Sequence, residues 1–283
     1  MPADAVPDGA AGTQAGSEVL LQLRGARTHN PGTWSLPGGA RRTGEKPLAT
    51  ALREAQEEAG IDPAAVSPRW WRIEAHGNWT YTTVAAEAAP GLTVALGPAD
   101  WESAGHDWTA NPADGRPLHP GFAATWPALA PLLGARLELI VDGANVVGSR
   151  PDGWWHDRAG AAGRLLQDLA ALATSGLAQA LIDPAGPDVS GWWPAITLVV
   201  EGQAKPIAAQ PGGPSTVNVV GAPGEGDDQI VREAAAAVAR LEETSPNPAS
   251  AAVVVTADKY LAQRVKAAGA QVMTPGALRR ALP

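Results

Sequence analysis

The 283-residue chain contains no cysteine. Disulfide bonds, thiolate nucleophiles and zinc–thiolate sites are therefore excluded, and a reducing, cytoplasmic location is expected. The five histidines are scattered through the chain without the spacing of metal ligands. We therefore assign neither residue type to a site.

Basic residues are too few to balance the acidic ones. The chain has 21 lysines and arginines against 29 aspartates and glutamates, a net charge of -8. Its two parts, 1–136 and 137–283, each carry four more acidic than basic residues. A protein that coats nucleic acid through its phosphates has a basic excess, which is absent here. Metal-dependent phosphate chemistry remains compatible, because bound cations supply local positive charge.

Long apolar runs are also lacking. The longest candidate, 121–141, is interrupted by two prolines, an arginine and a glutamate, so no membrane-spanning helix is expected. Residues 1–17 have acidic residues and no apolar run, which favours a flexible lead-in over a secretory signal. The length and 45% hydrophobic content suit two domains, 18–134 and 135–283, joined through about 127–136.

One stretch, Gly39–Ile61, concentrates charge in a loop followed by a helix. Pro47 suits the first helical turn and Gly60 the position just past the end, so the sequence predicts a helix over Pro47–Ala59. Three glutamates, at 54, 57 and 58, share one face of it. Such crowding is unfavourable without a cation, and Mg²⁺ prefers carboxylate oxygens. The alternative is an ordinary solvated face of a charged helix.

The spacing of this stretch resembles the Nudix box of the Nudix hydrolases: Gly39, five residues, Glu45, seven residues, then Arg53-Glu54-Ala55-Gln56-Glu57-Glu58-Ala59-Gly60-Ile61. The resemblance implies an α/β/α sandwich with a mixed sheet, and Mg²⁺- or Mn²⁺-dependent attack of water on a nucleoside diphosphate linked to a group X. It implies Glu54 as the base, with Arg53 and Glu57 as further catalytic residues. The Gly38 carbonyl, Glu54, Glu57 and Glu58 would hold metal. Gly39, Glu45 and Gly60 would be structural.

Residues outside the box give weaker indications. Glu102 resembles a late glutamate that approaches the metal in this family, although a surface glutamate before a core tryptophan is an equal alternative. Arg24, Arg41 and Arg42 are candidates to hold substrate phosphates, or are solvated surface arginines. Strands are predicted at 18–24, 33–36, 69–75 and 79–88, with a closing helix at 127–133. The strand that usually comes first in the family is missing or reduced to 8–12.

The second half alternates strands and helices. Continuous apolar runs at 137–141, 196–200, 217–220 and 252–255 predict buried strands of an open parallel α/β sheet, with helices at 160–173 and 227–241. Asp142, Glu201 and Asp258 end or follow such strands, and Asp227 and Asp228 open a helix. Ligands bind at the carboxyl edge of parallel sheets, so these acids are expected to meet there.

The stretches IVDGANVVG, GDDQIV and VVVTADKYLAQRV resemble the NYN subgroup of PIN-like nucleases. The resemblance implies Asp142, Asp227, Asp228 and Asp258 as metal ligands, Asn145 as a phosphate or water ligand, and a ribonuclease activity. The alternative is that Asp227 and Asp228 are charges at the start of a helix and that Asp142 is the acid of a tight turn between a strand and a helix. Trp154-Trp155 and Trp192-Trp193 could stack on single-stranded RNA or close a core. For the whole chain, the rival to an enzyme is a Nudix module that senses a nucleotide and regulates the nuclease without turnover.

Overall fold

The computed structural model describes residues 18–96, 101–149, 153–209, 216–244 and 246–283. Its contacts divide the chain into two compact units. The first comprises the chain up to Ser67 together with Ala88–Leu133, and the second comprises Pro68–Glu87 and Gly134–Pro283. The division after Leu133 lies beside the expected domain boundary. Residues 68–87, however, pack with the second unit, whereas we expected them in the first.

The described strands are β1 (Val19–Arg24), β2 (Trp34–Ser35), β3 (Val66–His76), β4 (Trp79–Ala88), β5 (Ser103–Thr109), β6 (Leu137–Asp142), β7 (Leu177–Ala178), β8 (Gly191–Trp192), β9 (Ala195–Val200), β10 (Val217–Gly221), β11 (Ala251–Val255) and β12 (Gln271–Met273). The described α-helices are α1 (Pro47–Ala59), α2 (Pro120–Leu129), α3 (Gly143–Gly148), α4 (Arg158–Ser175), α5 (Gly226–Thr244), α6 (Lys259–Ala267) and α7 (Pro275–Arg279).

The first unit contains a three-stranded sheet in the order β2-β1-β5, in which both pairings are antiparallel. Leu20 stands opposite Trp108 across β1 and β5, and both pack in the core beneath the end of α1 with Ala59 and Ile61. The expected mixed character is limited, among the described residues, to one isolated parallel bridge from Trp34 to Leu118.

Helix α1 has the predicted limits. Pro47 occupies its first turn, and Gly60 ends it in the left-handed region at φ 66°. The Gly60 N–H donates to the Ala55 and Gln56 carbonyls, which satisfies groups that the helix end leaves without partners. The helix therefore ends where its sequence predicts, and it carries three of the four glutamates of the box.

The hairpin of β3 and β4 joins the second unit through β8, in a sheet ordered β4-β3-β8-β7. Trp70 pairs with Trp192, and Trp71 pairs with Gly191. A Cβ added at Gly191 would lie 2.3 Å from the Trp71 ring, and one at Gly176 would lie 2.5 Å from it. The two glycines therefore leave the space that this indole fills. Strands β7 and β8 have two residues each, too short for a periodic pattern, and this pairing was not predicted.

The rest of the second unit is a five-stranded sheet in the order β10-β9-β6-β11-β12, and every pairing in it is parallel. The central strands are buried, with Leu139, Val141 and Val254 fully enclosed. Helix α5 packs its buried side chains, including Ile230 and Ala234, against this sheet. The predicted open parallel α/β sheet is confirmed, and its strands bring the ends of β6, β9 and β11 to one edge.

One helix differs from its prediction. We expected a closing helix from 127 to 133, but α2 runs from Pro120 to Leu129 and a 3₁₀ turn follows over Ala130–Leu132. Pro120 in the first turn starts it, and His119 Nδ1 accepts the Gly121 N–H at 3.2 Å. The predicted lead-in at 1–17 and the reduced strand at 8–12 lie outside the described residues. Within the described part of the chain, the helices are all too short or too polar to cross a membrane.

Candidate functional site

The guanidinium of Arg53 holds three glutamates of the first unit. It donates to Glu45 Oε1 at 2.9 Å and Oε2 at 3.1 Å, to Glu54 Oε1 at 2.7 Å and to Glu57 Oε2 at 2.9 Å. The Arg53 hydrogen bond, the Arg42 N–H and the Thr50 hydroxyl together lower the pKa of Glu45 to about 2. Arg53 thus braces Glu57, one turn further along the helix, and pairs with Glu45 from the preceding loop. The single positive charge of Arg53 thus compensates one carboxylate from the loop and two from α1.

Glu58 is held apart from this arginine. It is 4% exposed, and its Oε2 accepts the Gly38 N–H at 2.7 Å. Burial raises its pKa to about 7; the Gly38 N–H and the Gln22 side chain oppose the shift, and the charges of Glu54 and Glu102 add to it. Glu102, which we proposed as a further carboxylate of this site, is therefore close enough to act on Glu58 electrostatically.

Gly39 lets the loop approach the helix closely. A Cβ at this position would lie 2.5 Å from Glu54 Oε1, which is far inside van der Waals contact. Glu54 itself is buried, with 7% of its surface exposed. The glycine of the motif is therefore required for the Glu54 carboxylate to occupy its position.

Polar side chains buried on the sheet were missed by sequence reasoning. Gln22 on β1 is 1% exposed and stands opposite Ser35 on β2 and His106 on β5. Gln22 Oε1, Ser35 Oγ and His106 Nε2 lack a hydrogen-bond partner in the described part of the protein. A polar residue within the apolar run of β1 is the signal that could have revealed the row. Buried polar atoms without partners usually bind water or ligand.

The carboxylates of the first unit are ligands of the type that a hard divalent cation binds. Glu54, Glu57, Glu58 and Glu102 offer carboxylate oxygens, the ligands that Mg²⁺ prefers. Burial raises the pKa of Glu58, and the charges of Glu54 and Glu102 add to the shift, so a nearby cation would favour its charged form. In the described residues, no three acidic or histidine side chains already converge around one point. Arg53 occupies Glu54 and Glu57, so binding a cation requires these side chains to share their oxygens with it.

The three candidate phosphate-binding arginines have different surroundings. Arg42 donates to Glu57 Oε1 at 3.1 Å while its side chain remains 65% exposed. Arg24 donates from Nε to the His29 carbonyl at 2.8 Å and supports a loop. Arg41 is exposed in the loop before α1. Of the three, Arg42 is the one that contacts a glutamate of the box.

The second unit has its own acidic cleft, of about 520 Å³, at the carboxyl edge of the parallel sheet. Four carboxylates from separate elements line it: Asp142, Glu201, Asp227 and Asp258. Asn145 also lines it, and its Oδ1 accepts the Ala257 N–H at 2.9 Å. These four acids, which lie far apart in sequence, therefore line one cleft at this edge, although among the described residues no three acids are grouped closely enough to hold a metal ion as they stand.

Backbone amides and a hydroxyl position these acids. Asp142 Oδ1 accepts the Asn145 N–H at 3.0 Å, and its Oδ2 accepts the Thr256 hydroxyl at 3.0 Å. Asp258 Oδ1 accepts two N–H groups at the start of α6, each at 2.8 Å. Glu201 Oε2 accepts the Gly226 N–H at 2.8 Å. Asp142 and Asp258 therefore cap the starts of α3 and α6, and both also line the cleft.

The cleft carboxylates affect one another electrostatically. Burial raises the pKa of Asp142, and the charges of Asp227 and Glu201 add to the shift. Burial also raises the pKa of Asp227, and Asp258 adds to that shift. Mutual repulsion of this kind is characteristic of carboxylates that share one site.

Asp228 does not join the other acids. It is absent from the cleft lining, and its Oδ1 accepts a hydrogen bond from Arg264 Nη2 at 2.5 Å. Because consecutive residues of a helix point in different directions, only Asp227 of this pair faces the cleft. The prediction that both are ligands is therefore not supported for Asp228.

The two tryptophan pairs differ in how far they are exposed to solvent. Trp192 and Trp193 are buried, at 1% and 8% exposed, and Trp192 donates to Gln179 Oε1 at 2.5 Å. Their alternative role in a core is the one observed. Trp155, by contrast, is 55% exposed, and Trp154 lies beside the cleft residue Gly148.

Comparison with known proteins identifies the first unit. The model of the NUDIX domain matches residues 8–108. A Mycobacterium tuberculosis protein named "Putative 8-oxo-dGTP diphosphatase 3" is 43% identical over 127 residues. Through residues 8–108, which include the hairpin that packs with the second unit, the chain belongs to the Nudix hydrolase family. Members of the family generally use divalent cations such as Mg²⁺. The Nudix match begins at Asp8, before the domain start that we expected at 18.

The similarities cover only part of each protein. The M. tuberculosis alignment spans 40% of this chain and 57% of that relative, so the chain spans little more than half of its length. A solved Nudix hydrolase from M. smegmatis, RenU, is 41% identical, with 40% of this chain and 72% of that chain covered and a TM-score of 0.37. A solved structure of Rae1 (YacP) from Bacillus subtilis is 18% identical, with 51% and 74% covered and a TM-score of 0.34.

Proposed function

We propose that the first unit hydrolyses the phosphoanhydride of a nucleoside diphosphate linked to a group X, with Mg²⁺ or Mn²⁺ as cofactor. One observation carries the proposal: Arg53 gathers Glu45, Glu54 and Glu57, while Glu58 is fixed separately on the Gly38 N–H. The motif thus places its four glutamates on α1 and the loop before it, three of them held by one guanidinium and the fourth by a backbone N–H.

The residues have distinct roles in this proposal. Glu54, Glu57, Glu58, Glu102 and the Gly38 carbonyl would hold the cation, which when bound neutralises the diphosphate and lowers the pKa of water. Glu54 accepts the proton of the attacking water, because it is buried beside Gly39 and fixed by Arg53. Arg53 orients Glu54 and Glu57. Arg42, largely exposed beside Glu57, is placed to bind a substrate phosphate.

The substrate that we propose is a nucleotide, with oxidised purine nucleoside triphosphates as the first class to test. Support comes from the name of the M. tuberculosis relative, which is 43% identical over the matching region. A panel of ordinary nucleoside triphosphates, 8-oxo-dGTP, dinucleoside polyphosphates and nucleotide sugars, analysed by mass spectrometry of the products, identifies the substrate and the bond that breaks.

The decisive experiment replaces Glu57 with Gln. We expect kcat to fall on the order of 100-fold or more, the size typical of losing one group that stabilises developing charge. Gln56→Ala is the matched control, because Gln56 is exposed on the same helix. Unchanged turnover in Glu57→Gln would remove the motif from the mechanism. Nucleotide binding without product in the unmodified protein would instead favour the sensor.

We also propose a second activity, metal-dependent hydrolysis of single-stranded RNA, in the second unit. It is supported by the cleft lined by Asp142, Glu201, Asp227 and Asp258, since a divalent cation held by such acids activates water against a phosphodiester. The test compares Asp227→Asn with Asp228→Asn in the full-length protein. Asp227 faces the cleft, whereas the neighbouring carboxylate pairs with Arg264.

Cleavage of single-stranded RNA in Mg²⁺ or Mn²⁺ should be lost in Asp227→Asn and retained in Asp228→Asn. An unmodified protein that leaves this RNA intact in both metals would contradict the second activity. Full-length protein is required, because residues 68–87 pack with the second unit and a fragment starting at 135 lacks them.

A further inference from the structure

Two exposed aromatic side chains lie close in sequence to residues that line the acidic cleft of the second unit. Trp155 is 55% exposed and Tyr260 is 68% exposed. Trp155 follows Trp154, whose ring lies 3.6 Å from the position of a Cβ on the cleft residue Gly148. Tyr260 follows Asp258 by two residues, and its N–H donates to that carboxylate at 2.8 Å. Both aromatics are therefore attached to segments that line the cleft.

Cationic side chains lie over Tyr260 and over Trp154, the residue that precedes Trp155. The Arg158 guanidinium lies 5.4 Å from the centre of the Trp154 ring, and that of Arg264 lies 5.8 Å from the centre of the Tyr260 ring. Arg279 donates from Nη1 to the carbonyl of Ser149, a cleft residue, at 2.7 Å. The segments that contribute carboxylates and backbone to the cleft are thus accompanied by aromatic rings and arginines.

This arrangement suits a polymer with flat bases and a phosphate backbone. Exposed aromatic rings stack on unpaired bases of any identity, and arginines pair with phosphates. The bases of a duplex are already stacked on each other and leave the rings without partners.

We propose that Trp155 and Tyr260 form a stacking rim that binds single-stranded RNA across the acidic cleft, with Arg158, Arg264 and Arg279 contacting its phosphates. The inference rests on the proposed nuclease activity of the second unit and adds the residues that bind the strand. The acids act on the phosphodiester between the two stacked segments. Binding by the stacking rim and cleavage by the acids of the cleft are therefore separable.

The experiment measures binding in the full-length protein with Asp227→Asn added, so that the strand is not cleaved during titration. The probe is a fluorescein-labelled single-stranded RNA without self-complementarity, and the readout is fluorescence anisotropy in Mg²⁺. Trp155→Ala and Tyr260→Ala are compared with Trp79→Ala. Trp79 is also 55% exposed but lies on the hairpin, away from the cleft lining. Circular dichroism of each variant verifies folding, which these exposed positions should not affect.

Each rim substitution should raise Kd between about 5- and 100-fold, the range for removing one stacked base. Trp79→Ala should stay within about twofold, as an unrelated surface change. The same strand annealed to its complement should show no difference among the variants. Equal Kd values for the rim variants and Trp79→Ala would overturn the proposal, as would an equal loss on the duplex.

The rim and the nuclease activity can fail independently. RNA cleavage that is abolished by Asp227→Asn but unaffected by Trp155→Ala and Tyr260→Ala, with unchanged Kd, would refute the rim and keep the nuclease. Binding that depends on both aromatics in a protein that cleaves no RNA would support the rim and refute the nuclease.

Discussion

The two units hold their acidic side chains in different ways. In the first, a single guanidinium, that of Arg53, binds three of the glutamates. In the second, backbone N–H groups and the Thr256 hydroxyl bind the acids, and Arg264 pairs only with the carboxylate outside the cleft. Both units use a glycine to admit a glutamate: Gly39 beside Glu54 and Gly226 beside Glu201.

This difference explains why the site of the first unit is easier to recognise from the sequence than the cleft of the second. An arginine that organises its partners from one helix and the loop before it leaves a compact pattern with fixed spacing. Acids fixed by the ends of separate strands leave short, dispersed patterns, because their relative positions depend on the sheet. The first site is therefore sensitive to one side chain, and the second to the backbone that surrounds it.

We expect the largest effect from a substitution that disrupts the arginine-centred site of the first unit. Arg53→Ala removes the guanidinium that Glu45, Glu54 and Glu57 share, so the three carboxylates repel one another and lose their orientation. We expect kcat for nucleotide hydrolysis to fall about 100-fold or more, the cost of misplacing reacting groups. Arg27→Ala is the control, because Arg27 is an exposed arginine outside the motif and has no role in the proposed site. Steady-state kinetics with equal losses in both variants would contradict the central role of Arg53.

A second change tests whether the hairpin belongs to the second unit. Trp70 is 2% exposed and pairs with Trp192, so Trp70→Ala should lower the free energy of unfolding by about 3–5 kcal/mol through the cavity that it leaves. Trp79→Ala, on the exposed part of the same hairpin, should change it by less than about 0.5 kcal/mol. Urea denaturation measures both, and similar losses would mean that the hairpin is not anchored through Trp70.

The two glycines allow a matched comparison between the units. A Cβ at Gly39 or at Gly226 would lie 2.5 Å from a glutamate oxygen, so either change to Ala should displace that glutamate and cost about 1–3 kcal/mol. Gly39→Ala should impair nucleotide hydrolysis and spare RNA cleavage, and Gly226→Ala should do the reverse. Gly224→Ala, with open space around its Cβ, is the control. Loss of both activities in either variant would contradict separate sites.

The smallest expected effect concerns pH. The pKa of Glu45 falls from its ordinary value of 4.5 to about 2 in the folded protein, mainly through Arg53. Its contribution to stability is therefore complete above pH 4.5 and is lost as the pH falls towards 2. Glu45→Gln should destabilise the protein at neutral pH and flatten the fall in stability between those two values. Thermal unfolding at both pH values measures it, and an unchanged pH profile would exclude this carboxylate as a source of acid sensitivity.

Much of the local structure followed from the sequence. Proline at the start and glycine at the end fixed the limits of α1, because each residue type has a backbone conformation suited to its position. The apolar runs of β6, β9 and β11 predicted a parallel sheet, since strands covered on both faces need no alternation. The closing helix was misplaced because Pro127 is tolerated inside α2 rather than starting a helix.

Other features depended on contacts between residues distant in sequence. Nothing in the local pattern of Asp227-Asp228 indicates which carboxylate faces the cleft, since the rotation of α5 on the sheet decides it. The pairing of β3 with β8 likewise depends on Trp71 filling the space over Gly176 and Gly191.

The sequence by itself determined the helix of the glutamate motif, its arginine partner and the family of the first unit, because these depend on spacing along one helix and its preceding loop. Only the tertiary structure decided three other matters: that Glu58 is buried apart from Arg53, that the hairpin at 68–87 packs with the second unit, and that four of the five acids considered meet in one cleft. Burial and mutual repulsion arise from groups brought together by packing, which no local spacing encodes.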